Sequence, residues 1–327
     1  MKEIRVRVIS QEKSYYRISD GMSEKLASVS GKLRHEVMTV SDYPAVGDYV
    51  IANWPDDASN AVIRSIFPRK SCFMRKAAGP NKKEQVVAAN LDTVFICMSL
   101  NNNYNIRRLE RYLAIAYDSG AEPVIILTKK DLCDDVESLV KEVQEVAPNV
   151  EVLAVSSTND DFDPVLKYVT YGKTIAFLGS SGVGKSTLIN KLLGSDQIVT
   201  GGIGIDDKGR HTTTHRELIT LDNGAFLIDT PGMRELGMWD NADGIETVFS
   251  DIEELTGQCK FSDCSHKTEP ACAIQKALAE GYLDWARWEA YLKLKIENAI
   301  SECGSQYPES KRAKFKAIAK TNRKNRR

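Results

Sequence analysis

No apolar run in the 327-residue chain approaches the roughly 20 residues needed to cross a bilayer as a helix. The opening Met1-Lys2-Glu3-Ile4-Arg5 also lacks the apolar stretch of a secretory signal. The expectation is a soluble, cytoplasmic protein with no membrane partner. Its 42% hydrophobic and 27% charged residues are ordinary globular composition, and its length suits more than one domain. Net charge is nearly absent, with 44 basic residues against 45 acidic ones. The basicity is nevertheless segregated: Lys311 to Arg327 holds nine Lys or Arg and no Asp or Glu, which leaves the remainder at −10. Such an arm can neutralise phosphates and release counterions; a disordered solubilising tail is the alternative. Cysteine is sparse, seven in all, and Cys72, Cys97, Cys133 and Cys303 are dispersed. Cys97, inside Val94-Phe-Ile-Cys-Met98, is expected in a core.

The other three cysteines form the pattern Cys259-x4-Cys264-x-His266-x5-Cys272. Three thiolates and an imidazole complete a tetrahedral zinc set with no open position, so one structural zinc per chain is expected. A disulfide with two spare ligands is the alternative, and a cytosolic setting disfavours it.

Gly179-Ser-Ser-Gly-Val-Gly-Lys185-Ser186 matches the phosphate-loop pattern G-x-x-x-x-G-K-S. Thr174 to Leu178 before it reads as a buried strand and Ser186 to Leu193 after it as a helix. A helix N-terminus with converging backbone N–H groups binds phosphate oxygens. Gly179, Gly182 and Gly184 allow the tight path, with Ser180, Ser181, Val183 and Thr187 completing the loop and first helical turn. Lys185 can reach the β- and γ-phosphates, and the Ser186 hydroxyl can ligate magnesium. Ala225-Phe-Leu-Ile-Asp229-Thr-Pro-Gly232 is an apolar strand ending in Asp-x-x-Gly, suited to a magnesium water and a γ-phosphate. Val124-Ile-Ile-Leu-Thr128-Lys129-Lys130-Asp131 ends in T-K-x-D, where the carboxylate can accept from guanine N1 and N2 while the Lys129 stem lies along the base.

These segments, in this order, resemble the ribosome small subunit-dependent GTPase A family, whose five motifs are circularly permuted to run fourth, fifth, first, second, third. Leu153-Ala-Val-Ser156-Ser157 resembles the fifth motif, Gly209-Arg-His211-Thr-Thr213-Thr214 the second, and Asp229 to Glu235 the third. The resemblance covers nearly the whole chain, from Val46-Gly-Asp48 to the cysteine cluster, whose spacing is that of the family. Thr128 stands where Asn is commonest in the fourth motif, and its hydroxyl can still bridge to the phosphate loop. Gly182 occupies the position where potassium-activated GTPases usually have Asn, so potassium dependence is not expected.

Alternating runs in residues 1–70 suggest a small β-barrel, for which the resemblance implies the oligonucleotide-binding type. Residues 71–89 read as a basic linker. From 90 to 237, apolar strands alternate with helical patterns, as in a parallel α/β sheet. Residues 238–310 read as a mainly helical zinc-binding domain, with helices over Glu246–Leu255 and Leu283–Ala299, and 311–327 form the basic tail. Trp285, Trp288, Tyr291 and Leu292 are expected in its core. The expected fold class is multidomain: an oligonucleotide-binding-type barrel, a circularly permuted P-loop GTPase α/β domain and a helical zinc domain.

The resemblance implies a monomeric GTPase, cycling between GTP and GDP with magnesium, that acts in late maturation of the small (30S) ribosomal subunit, binds 16S rRNA and leaves after hydrolysis. A nucleotide-gated RNA-binding module with incidental hydrolysis is the alternative. The residues expected to carry chemistry are Lys185, Asp229, Gly232 and His211. One switch threonine is expected to ligate magnesium; Thr213 is taken, and the sequence does not separate it from Thr212 and Thr214. Met233 follows Gly232 where many GTPases carry a water-orienting Gln, so intrinsic hydrolysis should be slow.

Overall fold

Five short segments of alternating pattern close on themselves near the N-terminus. They are Lys2–Gln11 (β1), Tyr16–Ser19 (β2), Glu24–Val29 (β3), Tyr49–Trp54 (β4) and Ala61–Ile66 (β5). The structure is a computed structural model and describes residues 2–12, 15–76, 84–156, 162–194, 217–229 and 242–303. β1 runs antiparallel to both β2 and β4, β2 to β3 and β4 to β5, while β3 and β5 are parallel, so the circuit is a closed five-stranded barrel. Its interior holds Val6, Val8, Tyr16, Ile18, Ala27, Val50, Ala52, Ala61 and Ile63. Between β3 and β4 the helix Gly31–Glu36 (α1) is capped by Ser30, whose hydroxyl accepts from Leu33 N, and Leu33 joins the same core.

The next segment departs from expectation. Where a basic linker is anticipated, Cys72–Lys76 (β6) and Glu84–Ala89 (β7) pair as antiparallel strands. The reason is apolar: Phe73, Val86, Val87, Ala88 and Ala89 are buried. Lys82 and Lys83 lie outside the described residues. The Val46–Gly47 turn fastens β7 to the barrel, since Ala89 N donates to Val46 O at 2.9 Å. Gly47 has φ 92, and a Cβ there would stand 2.1 Å from the Ala89 carbonyl, so only glycine fits. Buried Asp48 receives the Arg69 guanidinium through Nε at 2.9 Å and Nη2 at 2.8 Å.

The remaining strands and helices follow in the order Thr93–Ser99 (β8), Ile106–Ser119 (α2), Glu122–Thr128 (β9), Val136–Val146 (α3), Glu151–Ala154 (β10), Asp163–Leu166 (α4), Thr174–Leu178 (β11), Lys185–Leu193 (α5), Glu217–Thr220 (β12) and Phe226–Asp229 (β13). They form one sheet, ordered β10-β9-β8-β11-β13-β12, which continues into the barrel through Ser10 opposite Glu217. All neighbours are parallel except β12, which is antiparallel to β13 and to β1. Full burial of β8 and β11 explains their unbroken apolar runs. The chain steps outward from β8 through β9 to β10, then returns to lay β11 on the other side of β8. That reversal creates a switch point at the C-terminal ends of β8 and β11, where open α/β sheets bind ligands.

Packing separates two units: residues 1–105 with 119–237, and Ile106–Asp118 with Met238–Arg327. The second unit contains α2 and Ala242–Val248 (α6), Ser250–Gly257 (α7), Ala273–Glu280 (α8) and Trp285–Cys303 (α9). The helix expected over 246–255 is two helices, broken at Phe249 (φ −113, ψ 33), a fully buried ring whose carbonyl accepts from both Ile252 N and Glu253 N. The helix expected from Leu283 starts later, because Asp284 caps it by accepting from Arg287 N at 3.0 Å. Trp288, Tyr291 and Leu292 are buried as expected, and Trp285 is half-buried. The tail 311–327 lies outside the described residues.

Candidate functional site

The phosphate loop leaves a fully buried strand, β11, at a position that admits no side chain. Gly179 has φ 147, and a Cβ there would lie 2.5 Å from the Cys97 carbonyl of neighbouring β8. Cys97 itself is 1% exposed, and burial pushes its thiol pKa up to about 12, so it stays protonated core. Gly182 (φ 76) and Gly184 (φ 95) take left-handed conformations that carry the loop into α5.

Five successive loop carbonyls each accept a hydrogen bond from a side chain. Lys185 Nζ donates to Gly179 O and Ser180 O, both at 2.6 Å. Asn103 Nδ2 donates to Ser181 O at 3.5 Å, Lys129 Nζ to Gly182 O at 2.9 Å and Thr128 Oγ1 to Val183 O at 2.5 Å. A carbonyl held in place fixes its peptide plane and therefore the direction of the next N–H. The amides from Ser180 to Gly184 are thereby oriented without help from a ligand, as a preorganised anion site requires. Ser186 and Thr187 stand in the first turn of α5, half-buried.

The T-K-x-D turn expected to receive the base leads from the end of β9 towards α3, beside the end of β10. Lys129 adopts φ 58, a left-handed conformation that is costly for a lysine, and its ammonium folds over the loop. Lys130 N donates to Val155 O at 3.2 Å, which ties the T-K-x-D turn to the strand end carrying Ser156. Ser156, 2% exposed, donates to Asp131 Oδ1 at 2.6 Å and so orients the carboxylate expected to receive guanine. Ser157 lies outside the described residues.

Of the switch residues expected beside the γ-phosphate, Asp229 alone is among the described residues. Asp229 ends β13, paired in the backbone with Glu217 and one residue beyond the Ile228–Ala176 pair with β11. Gly232, Met233, His211 and Thr212 to Thr214 lie outside the described residues.

Asn103 was absent from the expected site. Its signal in the sequence is the run Asn101-Asn102-Asn103, one residue past the buried strand β8, polar residues beyond the C-terminal end of a parallel strand.

In the second unit the ligand atoms of Cys259, Cys264, His266 and Cys272 all lie within 4.8 Å of one another. Tetrahedral zinc, with bonds of about 2.3 Å to sulfur and about 2.0 Å to nitrogen, sets sulfur pairs about 3.8 Å apart and sulfur–nitrogen pairs about 3.5 Å apart. The Cys259–Cys272 sulfurs are 3.9 Å apart, and each is 3.5 Å from His266 Nδ1. These residues fit zinc. Burial lowers the His266 pKa and favours the neutral ring that binds metal. Around it, Glu269 accepts from Ser265 N and Lys267 N, Gln275 Nε2 donates to His266 O at 2.7 Å, and the ring meets Trp288 edge-on at 5.6 Å.

The sequence pattern described as RsgA GTPase matches residues 66–239. The chain belongs to the RsgA GTPase family. It is 46% identical over 303 residues to the small ribosomal subunit biogenesis GTPase RsgA 2 of Lactiplantibacillus plantarum, covering 92% of this chain and 85% of that one. Identity to RsgA 1 of Oceanobacillus iheyensis is 41% over 329 aligned positions, 99% of this chain and 94% of the relative. Among solved structures, the crystal structure of YjeQ from Thermotoga maritima superposes with a TM-score of 0.65 at 26% identity, covering 90% of this chain and 98% of that one. YloQ, a circularly permuted GTPase, shares the fold with a TM-score of 0.62 at 24% identity, over 90% and 95% of the two chains. Members of the RsgA family hydrolyse GTP, and membership implies GTP, GDP and magnesium. No described helix is long and apolar enough to cross a membrane.

Proposed function

We propose that the chain is a cytoplasmic, monomeric assembly factor that binds GTP, acts late in maturation of the small (30S) ribosomal subunit on its 16S rRNA, and departs after hydrolysis. The observation that carries this reading is the phosphate loop with five carbonyls held by side chains, beside an Asp131 oriented by Ser156. The curated relatives are named as small ribosomal subunit biogenesis GTPases over nearly the full length of this chain, which supports the partner.

In this reading a water oxygen attacks the γ-phosphorus in line while the bond to the β–γ bridging oxygen breaks. GDP and inorganic phosphate leave, and the proton of the attacking water passes to phosphate or solvent. Lys185 and the amides of Ser180 to Gly184 offset the charge that develops on the phosphoryl oxygens. Magnesium, when bound, would neutralise charge that develops on the phosphates, and Ser186 and Thr213 would be its ligands, with Asp229 acting through water. His211 is the proposed water-holding group, because Met233 offers no hydrogen bond where a glutamine would. The zinc set holds the C-terminal unit, and the nine-charge tail supplies phosphate contacts to RNA.

The test is GTP turnover with and without purified small subunits, in wild type and Lys185→Ala. Large, saturable stimulation of wild type and loss in the variant are expected. Intact subunit binding without stimulation would overturn the assembly-factor reading in favour of an RNA-binding module with incidental hydrolysis.

A further inference from the structure

Three of the side chains that hold the loop carbonyls belong to motifs already recognised: Lys185 in the loop itself, and Thr128 and Lys129 in T-K-x-D. The fourth, Asn103, belongs to none. Its Nδ2 lies 3.3 Å from Ser180 Oγ and 3.5 Å from Ser181 O, which ties the outer limb of the phosphate loop to a different strand, β8. The loop that presents it is itself well determined. Asn101 Oδ1 accepts from Ser99 Oγ at 2.9 Å and from Asn103 N at 3.0 Å, and Tyr104 N donates to Asn101 O at 2.8 Å. This Asx turn fixes the Asn103 backbone. Beyond it, Asn105 N donates to Met98 Sδ at 3.4 Å and Tyr104 OH to Glu142 Oε2 at 3.0 Å. The position follows from the sheet, since β8 and β11 are neighbours and Leu178 pairs with Ile96, so the two loops leave the same edge side by side.

We propose that Asn103 is a positioning residue for the nucleotide. It holds the Ser181–Gly182 peptide and the Ser180 hydroxyl so that the loop amides stay aimed at the phosphates. The proposal rests on the GTP-binding reading and adds to it a residue outside the five motifs. Because phosphate-loop amides cradle the α- and β-phosphates that GDP and GTP share, both should depend on Asn103. The contribution is uniform binding, which raises KM and leaves kcat in place.

The experiment uses the full-length protein. Binding of fluorescent GDP and GTP analogues and steady-state basal GTPase are measured for wild type, Asn103→Ala, Asn103→Asp, Asn103→Gln, Ser180→Ala and the Asn103→Ala/Ser180→Ala pair. One lost hydrogen bond predicts that Asn103→Ala raises both Kd values and KM together by about five- to tenfold, with kcat within about twofold. Asn103→Asp, isosteric but without donors, should lose at least as much, and it carries the test if the alanine variant does not fold. Asn103→Gln should recover part of the affinity, and the paired substitution should cost less than the product of its two single effects. Asn102→Ala, at the exposed neighbouring position, should leave every parameter unchanged. Wild-type affinity in Asn103→Ala and Asn103→Asp would overturn the proposal. So would a fall in kcat at constant KM, or fully independent effects with Ser180→Ala. A wild-type protein that binds no GTP would instead overturn the GTPase reading on which the proposal stands.

Discussion

A hydroxyl donates one hydrogen bond where an amide donates two, and Thr128 directs its one to the Val183 carbonyl at 2.5 Å. That side chain is 3% exposed, so losing the donor leaves a carbonyl unsatisfied away from water. Thr128→Val keeps the shape and removes the bond. It should weaken GDP and GTP binding alike by about five- to thirtyfold, corresponding to about 1–2 kcal/mol, while Thr128→Ser stays near wild type. Titration with a fluorescent guanine nucleotide checks it; equal affinity for the valine variant would show that the bridge contributes nothing. At this scale the geometry of the loop was legible, because the tight path at Gly179 and the bridge from Thr128 to the phosphate loop follow from residue type and spacing. Asn103 was legible only as one polar residue of a run that follows a buried strand. Its role comes from two loops leaving adjacent strands, and β8 and β11 lie far apart in the sequence. The left-handed φ of Lys129 was equally hidden, since nothing about lysine favours it.

Single elements were legible where periodicity was long and unopposed. The spans of α3 and β11 follow the pattern, whereas β2, β3 and β12 are short polar-apolar alternations that register only once a partner strand lies beside them. The hairpin of β6 and β7 was masked by its flanking lysines, and the break at Phe249 by an amphipathic pattern that runs through it. Helix α2 poses a different problem: its amphipathic pattern announces a helix and not the unit it belongs to. The answer lies in Glu110, fully buried, whose Oε1 receives Arg107 at 2.7 Å and also the Arg287 guanidinium from α9. Burial raises the Glu110 pKa against the pull of both guanidiniums. Arg107 also reaches Asp284 and Arg287 reaches Asp251, both at 2.7 Å, so the carboxylate is the centre of a five-residue network. Glu110→Ala leaves two cations short of their shared buried partner and should destabilise the second unit by about 3 kcal/mol. Urea unfolding measures this, and a loss below about 1 kcal/mol would mean the network is a surface-like ion cluster. Gly244 marks a second such junction, donating to Asp118 Oδ1 at 2.6 Å where a Cβ would stand 2.2 Å from the Ala114 carbonyl.

For the whole molecule, the chain makes an excursion that its linear order conceals: it leaves the first unit at Asn105, contributes α2 to the second, and returns at Ser119 to form β9. Permutation places the phosphate loop in mid-chain, and β11, which leads into it, lies between β8 from the earlier part of the chain and β13 from the later part. Cutting a sheet's connections elsewhere leaves its strand pairs intact. All described residues of the candidate nucleotide site lie in the first unit, and Cys259, Cys264, His266 and Cys272, which fit zinc, lie in the second. Structural zinc contributes apparent binding free energies of about 10–16 kcal/mol in small domains, so its removal should unfold the unit it holds. Chelation, or Cys264→Ser, is therefore expected to abolish amide protection in α6 to α9 and also in α2, even though α2 lies between β8 and β9 in sequence. β8 and β9 should keep their protection, and guanine-nucleotide affinity should change by less than about threefold, because Thr128 is bonded to Val183 and Asp131 to Ser156, all within the first unit. Hydrogen exchange read peptide by peptide separates the outcomes. Protection of α2 that persists with β9 after zinc is stripped would assign the helix to the nucleotide unit and show that Glu110 does not bind it to the zinc-bearing helices.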